Sequence, residues 1–125
     1  MNRRKDNGNI FTKLFKSFKH GLDGINYAIE TEINTVIMMI ISIVLLVLCF
    51  IFDATIIELA VIIVTIGMTF LAEMFNSSIE ALGDSITLED NKLIKIAKDC
   101  ATSGVIVTVF IELVVAGVIL IPKII

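Results

Sequence analysis

Apolar residues along the chain form three long runs that are separated by short polar segments. The first run extends from about Ile33 to Phe52 and contains no charged residue. Its length fits a hydrocarbon core of about 30 Å, which a helix crosses at about 1.5 Å per residue. Two further runs extend over about 56–71 and about 105–121. The pattern therefore predicts an all-α integral membrane protein with three transmembrane helices.

Polar residues at the ends of these runs predict where the helices begin and end. Asp53-Ala54 forms a very short turn, and Thr55 followed by Glu58 has the spacing of a capping box that opens the second helix. We interpret Glu58 as a structural capping residue at the membrane surface. The second helix is expected to continue through Asp84, and Pro122 is expected to stop the third span near residue 121.

The chain divides into an N-terminal segment, 1–30, and a three-span domain, 31–125. In the first segment, apolar residues at helical spacing with lysines off their stripe predict an amphipathic helix in the membrane interface. A helix packed on a partner is the alternative. A polar segment, 85–99, separates the second and third spans, and Thr87 with Asp90 has the spacing to cap a further helix there. The apolar stripe consists of Phe11, Leu14, Phe15, Phe18, Leu22 and Ile25.

The composition agrees with a membrane protein and excludes several function classes. The chain is 57% hydrophobic and 18% charged, whereas soluble domains are about 45–50% apolar and about 25% charged. A net charge of −3 excludes bulk nucleic-acid binding through a basic surface. Two cysteines are too few for a disulfide scaffold, and a single histidine excludes His-rich metal sites.

Lysine and arginine are distributed unevenly between the two sides of the predicted spans. All of these residues except Lys123 precede the first span or lie between the second and third spans. The positive-inside rule then predicts a cytosolic N-terminus, a cytosolic loop at 85–99 and an outside C-terminus. We therefore expect a multi-pass protein of the plasma membrane with its N-terminus in the cytosol.

The segment 73–84 carries the polar residues that the membrane pattern does not explain. At about 100° per residue, Glu73, Asn76, Glu80 and Asp84 share one stripe of a helix. A solvated helix end explains Glu80 and Asp84, but Glu73 and Asn76 adjoin the apolar run. Carboxylates at a helix centre in the membrane cost about 2.5–3.5 kcal/mol, and those retained near the membrane usually mark function.

Depth along the helix brings these groups to one membrane surface. Glu73 lies about 27 Å along the axis from Thr55, which is the cytosolic headgroup level. Glu32, before the first span, and Lys98-Asp99, before the third, reach the same level. Oxygen ligands and a lysine suit a hard divalent cation together with a polyanion. The residues by themselves indicate an interfacial, metal-binding site that acts on a lipid headgroup.

Three blocks of the sequence resemble the prokaryotic diacylglycerol kinase family, which includes undecaprenol kinases. The blocks occur in the family's order and extend the resemblance over nearly the whole chain. They read Gly24-Ile25-x-Tyr27-Ala28-x-x-x-Glu32-x-Asn34, Glu73-x-x-Asn76-Ser77-Ser78-Ile79-Glu80-x-x-x-Asp84 and Ala97-Lys98-Asp99.

The resemblance implies a lipid kinase of the inner leaflet that uses ATP and Mg²⁺ and forms homotrimers. Undecaprenol is the favoured acceptor and diacylglycerol the second, because a Lys/Ile/Asn-rich chain without Trp indicates a low-GC Gram-positive source. By the same resemblance Glu73 is the general base, Asn76 orients the site, and Glu32 and Glu80 hold Mg²⁺. Nucleotide binding is implied for Lys98, Asp99, Glu32, Glu80, Asp84 and Glu89, and lipid binding for Glu73 and Ser77.

The chain also departs from the family pattern. After Glu32 it has Asn34-Thr35-Val36-Ile37-Met38 where members often carry Asn-Phe-Arg-x-His, and Gly83 stands where an aliphatic residue is usual. These departures bear on substrate choice and rate, and they leave a non-catalytic family member open. A small transporter or channel with a membrane carboxylate is the other alternative. Neither the family resemblance nor the transporter alternative assigns a role to Glu112, which lies in the third span.

Overall fold

The computed structural model of the protein describes residues 8–125, which form four α-helices and contain no strand. Three of the helices are long and apolar enough to cross a membrane, which confirms the three predicted spans. Arg3, Arg4 and Lys5, part of the expected orientation signal, lie outside the described residues. The helices are α1, Ile10–Thr31; α2, Ile33–Ile51; α3, Ile56–Ile86; and α4, Lys92–Ile124.

The pair formed by α3 and α4 is the centre of the fold. These two helices make the most extensive contact, α2 packs mainly on α3, and α1 contacts α2 and α3. Buried apolar residues gather where the three spans meet, and most other apolar side chains of the spans point outward, as a lipid environment permits. The buried cluster comprises Leu45, Cys49, Ile62, Ala116 and Leu120.

A tight turn connects α2 to α3 and leads into the predicted capping box. Asp53 adopts a positive φ of 51°, a region that aspartate occupies more readily than most residues. The backbone N–H of Glu58 donates to Thr55 Oγ1 at 3.2 Å, and the backbone N–H of Thr55 donates to Glu58 Oε2 at 2.8 Å. The capping box is therefore confirmed, with both of its reciprocal hydrogen bonds formed.

The connection from α3 to α4 is shorter than the polar segment 85–99, because residues 92–99 already belong to α4. The cap of α4 is Asn91, whose Oδ1 accepts from the backbone N–H groups of Leu93 and Ile94 at 3.0 and 3.1 Å. The expectation that Thr87 and Asp90 cap this helix is therefore wrong. An asparagine immediately before the first turn reaches those N–H groups better, and Thr87 instead accepts from Glu89 N–H within the loop at 3.0 Å.

The last turn of α4 includes Pro122, so the helix continues to Ile124 rather than stopping near residue 121. Proline removes one backbone hydrogen bond from a helix interior. At the end of a helix few further bonds depend on it, and the backbone N–H of Ile125 still donates to the Ile121 carbonyl at 3.2 Å. The third span therefore continues past its proline.

A single residue, Glu32, separates α1 from α2. Its extended backbone, φ −119° and ψ 107°, ends one helix and begins the next. Its N–H donates to the Ala28 carbonyl at 2.9 Å, and its own carbonyl accepts from Thr35 N–H at 3.1 Å. Ala28 is the buried residue of α1, whereas Phe11 and Phe15 are exposed. The placement of α1 in a membrane interface stays a prediction.

Candidate functional site

The polar stripe of α3 is buried at Glu73 and becomes exposed toward the C-terminal end of the helix. Glu73 is 1% exposed, and Asn76 and Ser77 are also buried. Glu80 is half-buried and Asp84 is exposed. Helical spacing places these residues on one side of α3, which faces α2 and α4. The side chains of Glu73, Asn76 and Ser77 are thus shielded from water, and the stripe they belong to reaches solvent at Asp84.

Glu73 is the most deeply buried carboxylate of the described chain. Thr35, on α2, donates from Oγ1 to Glu73 Oε1 across 3.4 Å. Glu73 Oε2 is buried and has no hydrogen-bond partner among residues 8–125. One oxygen of Glu73 is therefore positioned by the protein and the other is free to accept a hydrogen bond from a ligand.

Asn76 connects the stripe to α4. Thr102 Oγ1 donates to Asn76 Oδ1 at 3.5 Å and to the Lys98 carbonyl at 3.1 Å. Thr35 and Thr102 both contact a predicted site residue, and sequence reasoning missed them in this role. The available signal was weak, since each is only a hydroxyl residue close to one end of an apolar run.

Lys98 joins the two remaining acidic residues of the stripe. Its Nζ lies 2.6 Å from Asp84 Oδ1 and 3.0 Å from Glu80 Oε2. A lysine held between two carboxylates is stabilised in its cationic form. The predicted nucleotide-binding residues Glu80, Asp84 and Lys98 are thus brought together across α3 and α4.

Gly83 provides the space through which Lys98 reaches these carboxylates. A Cβ at residue 83 would lie 2.9 Å from Lys98 Cε and 3.0 Å from Ile94 Cγ2, closer than side-chain carbons normally approach. The glycine therefore lets the lysine stem cross α3 directly. The departure from the aliphatic residue that is usual here has a structural reason in this chain.

Asp99 does not join the Lys98 cluster in the described structure. Its Oδ2 lies 2.6 Å from Lys95 Nζ, one turn earlier on α4, and both side chains are exposed. Such a surface pair within one helix contributes little stability. Asp99 is therefore next to Lys98 in sequence but forms a separate ion pair, and its predicted nucleotide role stays a prediction.

Two cavities adjoin these residues. A cleft of about 760 Å³ follows the loop between α3 and α4 and is lined by Asp84, Glu89 and Lys98, with Lys92 and Lys95 also on its wall. The three lysines share this cleft with three carboxylates, those of Asp84, Glu89 and Asp90, so a bound ligand would meet both signs of charge.

The second cavity, of about 360 Å³, lies between α1 and α3. Its walls include Gly21, Gly24, Tyr27 and Ser77. Ser77 Oγ is buried there without a hydrogen-bond partner among residues 8–125. A donor or acceptor of a bound molecule would satisfy this hydroxyl, since buried polar groups are normally paired.

The acidic residues fit a metal ion that arrives with its ligand rather than a resident one. Within residues 8–125 no three metal-ligating side chains are grouped closely enough to hold an ion. Mg²⁺ is commonly bound through one or two carboxylates, with phosphate oxygens and water completing its shell. Glu32 and Glu80, both half-buried, supply donors of that kind.

Comparison with known proteins identifies the family of the chain. The family model of prokaryotic diacylglycerol kinase matches residues 19–120. The undecaprenol kinase of Bacillus subtilis (strain 168) is 34% identical over 119 residues, which are 95% of this chain and 97% of that protein. The diacylglycerol kinase of Synechocystis sp. is 27% identical over 120 residues, 95% of this chain and 69% of that protein. The chain is therefore a lipid kinase and belongs to the prokaryotic diacylglycerol kinase family.

Proposed function

We propose that this lipid kinase transfers the γ-phosphoryl group of ATP to the hydroxyl of a membrane lipid alcohol at the inner leaflet. The observation that carries the proposal is Glu73, a buried carboxylate with one unpartnered oxygen, on the same helix as Glu80 and Asp84, whose carboxylates hold Lys98. Undecaprenol is the favoured acceptor and diacylglycerol the second. The higher identity of the relative named undecaprenol kinase supports that order.

In the proposed reaction the lipid hydroxyl donates its proton to Glu73 Oε2 while its oxygen attacks the γ-phosphorus. The bond from that phosphorus to the β–γ bridging oxygen breaks, and ADP leaves with the bond's electrons. The products are the phosphorylated lipid, ADP and a proton on Glu73 that passes to solvent. Thr35 holds the other oxygen of Glu73, Asn76 orients the α3–α4 side, and Ser77 binds the lipid headgroup. Phosphoryl transfer depends mainly on such positioning and on charge stabilisation.

Lys98 is assigned to the phosphate oxygens of the nucleotide. Its ammonium already lies between Glu80 and Asp84 at the cleft, so phosphates can replace one carboxylate without the lysine moving far. Asp84, Glu89 and Asp99 border the nucleotide.

Glu32 and Glu80 would hold Mg²⁺, which when bound neutralises charge on the phosphates. Both residues reach the site from its cytosolic side, Glu32 at the junction of α1 and α2 and Glu80 from α3.

A homotrimer with sites between subunits is part of this proposal. The helix pair α3–α4 is well packed, but α2 makes little contact with α4, so a single chain covers the acidic stripe incompletely. The proposed orientation has a cytosolic N-terminus, because lysines of α1 and of the first turns of α4 lie on the side of the site.

The test uses purified protein in lipid vesicles with radiolabelled ATP and each lipid alcohol in turn. We expect the fastest transfer to undecaprenol, and Glu73→Gln should lower turnover by about a hundred- to ten-thousand-fold. Glu80→Gln should mainly weaken use of the nucleotide, and Glu58→Gln, at the other end of α3, serves as the matched control. Absence of transfer to any lipid, or unchanged transfer by Glu73→Gln and Glu80→Gln, would overturn the proposal. A proton flux that disappears with Glu73→Gln would favour a transporter.

A further inference from the structure

A second buried carboxylate, Glu112, lies in the middle of the apolar part of α4. It is 5% exposed, and it makes no hydrogen bond or ion pair with any of the described residues. Along the α4 axis, Lys98 is about 21 Å away and Lys123 about 16 Å away, so neither helix end supplies a cation to it. Ionisable groups at this depth normally have a partner or mark a ligand pathway.

Glu112 faces a cavity rather than a packed wall. The cavity measures about 90 Å³, and its other walls include Met38, Ile41 and Thr69. Thr69 is also buried, and its Oγ1 donates to the Thr65 carbonyl at 3.0 Å. The remaining lone pairs of that hydroxyl are therefore available to a donor. The cavity thus offers a carboxylate and a hydroxyl acceptor within apolar walls.

A larger apolar groove adjoins this cavity. It measures about 230 Å³ between α2 and α3, and it shares Met38 and Thr69 with the cavity of Glu112. Met39 and Ile43, which also line it, are exposed on the surface that would contact lipid. Methionines adapt their shape to irregular apolar ligands. A molecule dissolved in the bilayer can therefore enter sideways and reach Glu112 with one end.

The chemistry of the walls selects one class of occupant. A buried carboxylate is best compensated by a cation. A metal ion is a poor fit, because one carboxylate and one hydroxyl provide too few oxygen ligands. An organic ammonium satisfies the same carboxylate with N–H donors, and an attached hydrocarbon chain fills the groove.

We propose that the cavity of Glu112 and the adjoining groove form one binding site for lipophilic primary amines taken from the bilayer. The ammonium binds Glu112 and Thr69, and the hydrocarbon chain lies along Met38, Met39 and Phe70. This site does not depend on the proposed lipid kinase mechanism.

The test is photolabelling in phosphatidylcholine vesicles near neutral pH. The probe is dodecylamine with a diazirine in the chain, and the neutral control is the N-acetyl derivative of the same molecule. We expect the amine to label peptides that contain Met38, Met39 and Phe70. Glu112→Gln should lower that labelling by about ten-fold, the loss expected for one charge-assisted hydrogen bond. Glu30→Gln, an exposed acid on α1, is the matched control and should leave labelling unchanged.

Competition in the unmodified protein gives a second measurement that does not depend on how a variant folds. Unlabelled dodecylamine should reduce labelling, and unlabelled N-dodecylacetamide should not. Equal competition by both compounds, labelling by the neutral probe at the same residues, or unchanged labelling of Glu112→Gln would each overturn the proposal. These outcomes involve no ATP, so they are independent of whether phosphoryl transfer is observed.

Discussion

The two ends of the α3–α4 pair, which we name outer and cytosolic after the proposed orientation, are joined by similar ion pairs but differ in which polar groups remain unpaired. At the outer end, Glu58 Oε2 accepts from Thr55 N–H at 2.8 Å and lies 3.0 Å from Lys123 Nζ. At the cytosolic end, Glu80 Oε2 also lies 3.0 Å from a lysine, Lys98. Lys98 also forms an ion pair with a second carboxylate, that of Asp84, and it lines the open cleft between α3 and α4.

This difference separates structural polar groups from functional ones. At the outer end, the Glu58 carboxylate accepts a hydrogen bond from the Thr55 N–H and forms an ion pair with Lys123 of α4. At the cytosolic end, Glu73 Oε2 and Ser77 Oγ are buried without a partner among residues 8–125. A protein that needs only to join two helices has no reason to retain such groups. Matched substitutions at the two ends therefore distinguish attachment from function.

The largest difference is expected between Lys98→Met and Lys123→Met. Lys98→Met should lower phosphoryl transfer by about ten- to a hundred-fold, mostly through a higher KM for ATP, because it removes a cation from the phosphates. Lys123→Met removes an equivalent ion pair from the outer end and should leave both KM and kcat unchanged. The measurement is initial rate against ATP concentration in vesicles. Equal losses in the two variants would contradict the comparison.

A smaller loss is expected for Thr35→Val, which removes the hydroxyl that holds Glu73 Oε1. Turnover should fall by about three- to ten-fold, with no change in KM for ATP, because a hydrogen bond to a carboxylate is weakened at a length of 3.4 Å. The matched control is Thr31→Val, since Thr31 Oγ1 donates only to the Tyr27 carbonyl at 2.7 Å on the exposed side of α1. A rise in the KM for ATP without a change in turnover would contradict this prediction, because it would mean that Thr35 acts on nucleotide binding rather than on Glu73.

Gly83→Ala tests whether nucleotide binding depends on the route that the Lys98 side chain takes across α3. The new Cβ displaces the Lys98 stem, so the KM for ATP should rise by about two- to five-fold, a cost near that of a weakened hydrogen bond. Gly104→Ala, where nothing lies within 4 Å of an added Cβ, should leave the KM unchanged. Both variants gain helix propensity, so unfolding measurements separate stability from nucleotide binding. An unaltered KM in Gly83→Ala would show that Lys98 reaches the phosphates by another path.

The smallest effect on catalysis is expected for Thr55→Ala at the outer end. Loss of the N-cap should lower the free energy of unfolding by about 1 kcal/mol. Phosphoryl transfer at a temperature well below unfolding should stay within error of the unmodified protein. Denaturant unfolding followed by circular dichroism, with rates measured on the same samples, provides the check. A loss of activity that exceeds the loss of stability would mean that the outer end communicates with the site.

The spans and the acidic stripe could be predicted from the sequence because both depend on regular spacing. The uninterrupted run of α2 predicts a span by its length alone, and Glu73 and Asn76 stand out because they adjoin an apolar run. The partners Thr35 and Thr102 could not be predicted, since their roles depend on how α2 and α4 are rotated against α3. The cap of α4 was misassigned because Thr87, Asp90 and Asn91 all suit a helix N-terminus, and only the path of the loop selects among them.

If α1 lies in the membrane interface as predicted, the junction at Glu32 would let the thickness of the bilayer affect the proposed site. Since one residue separates α1 from α2, any change of angle between these helices must be absorbed by the backbone torsions of Glu32. Spans tilt to match the thickness of the surrounding bilayer, whereas a helix lying on the surface does not follow that tilt. Thicker or thinner membranes would therefore rotate the Glu32 carboxylate relative to Glu73. The backbone of Glu32 would thus act as a hinge between α1 and α2, and membrane thickness would set the angle between the two helices.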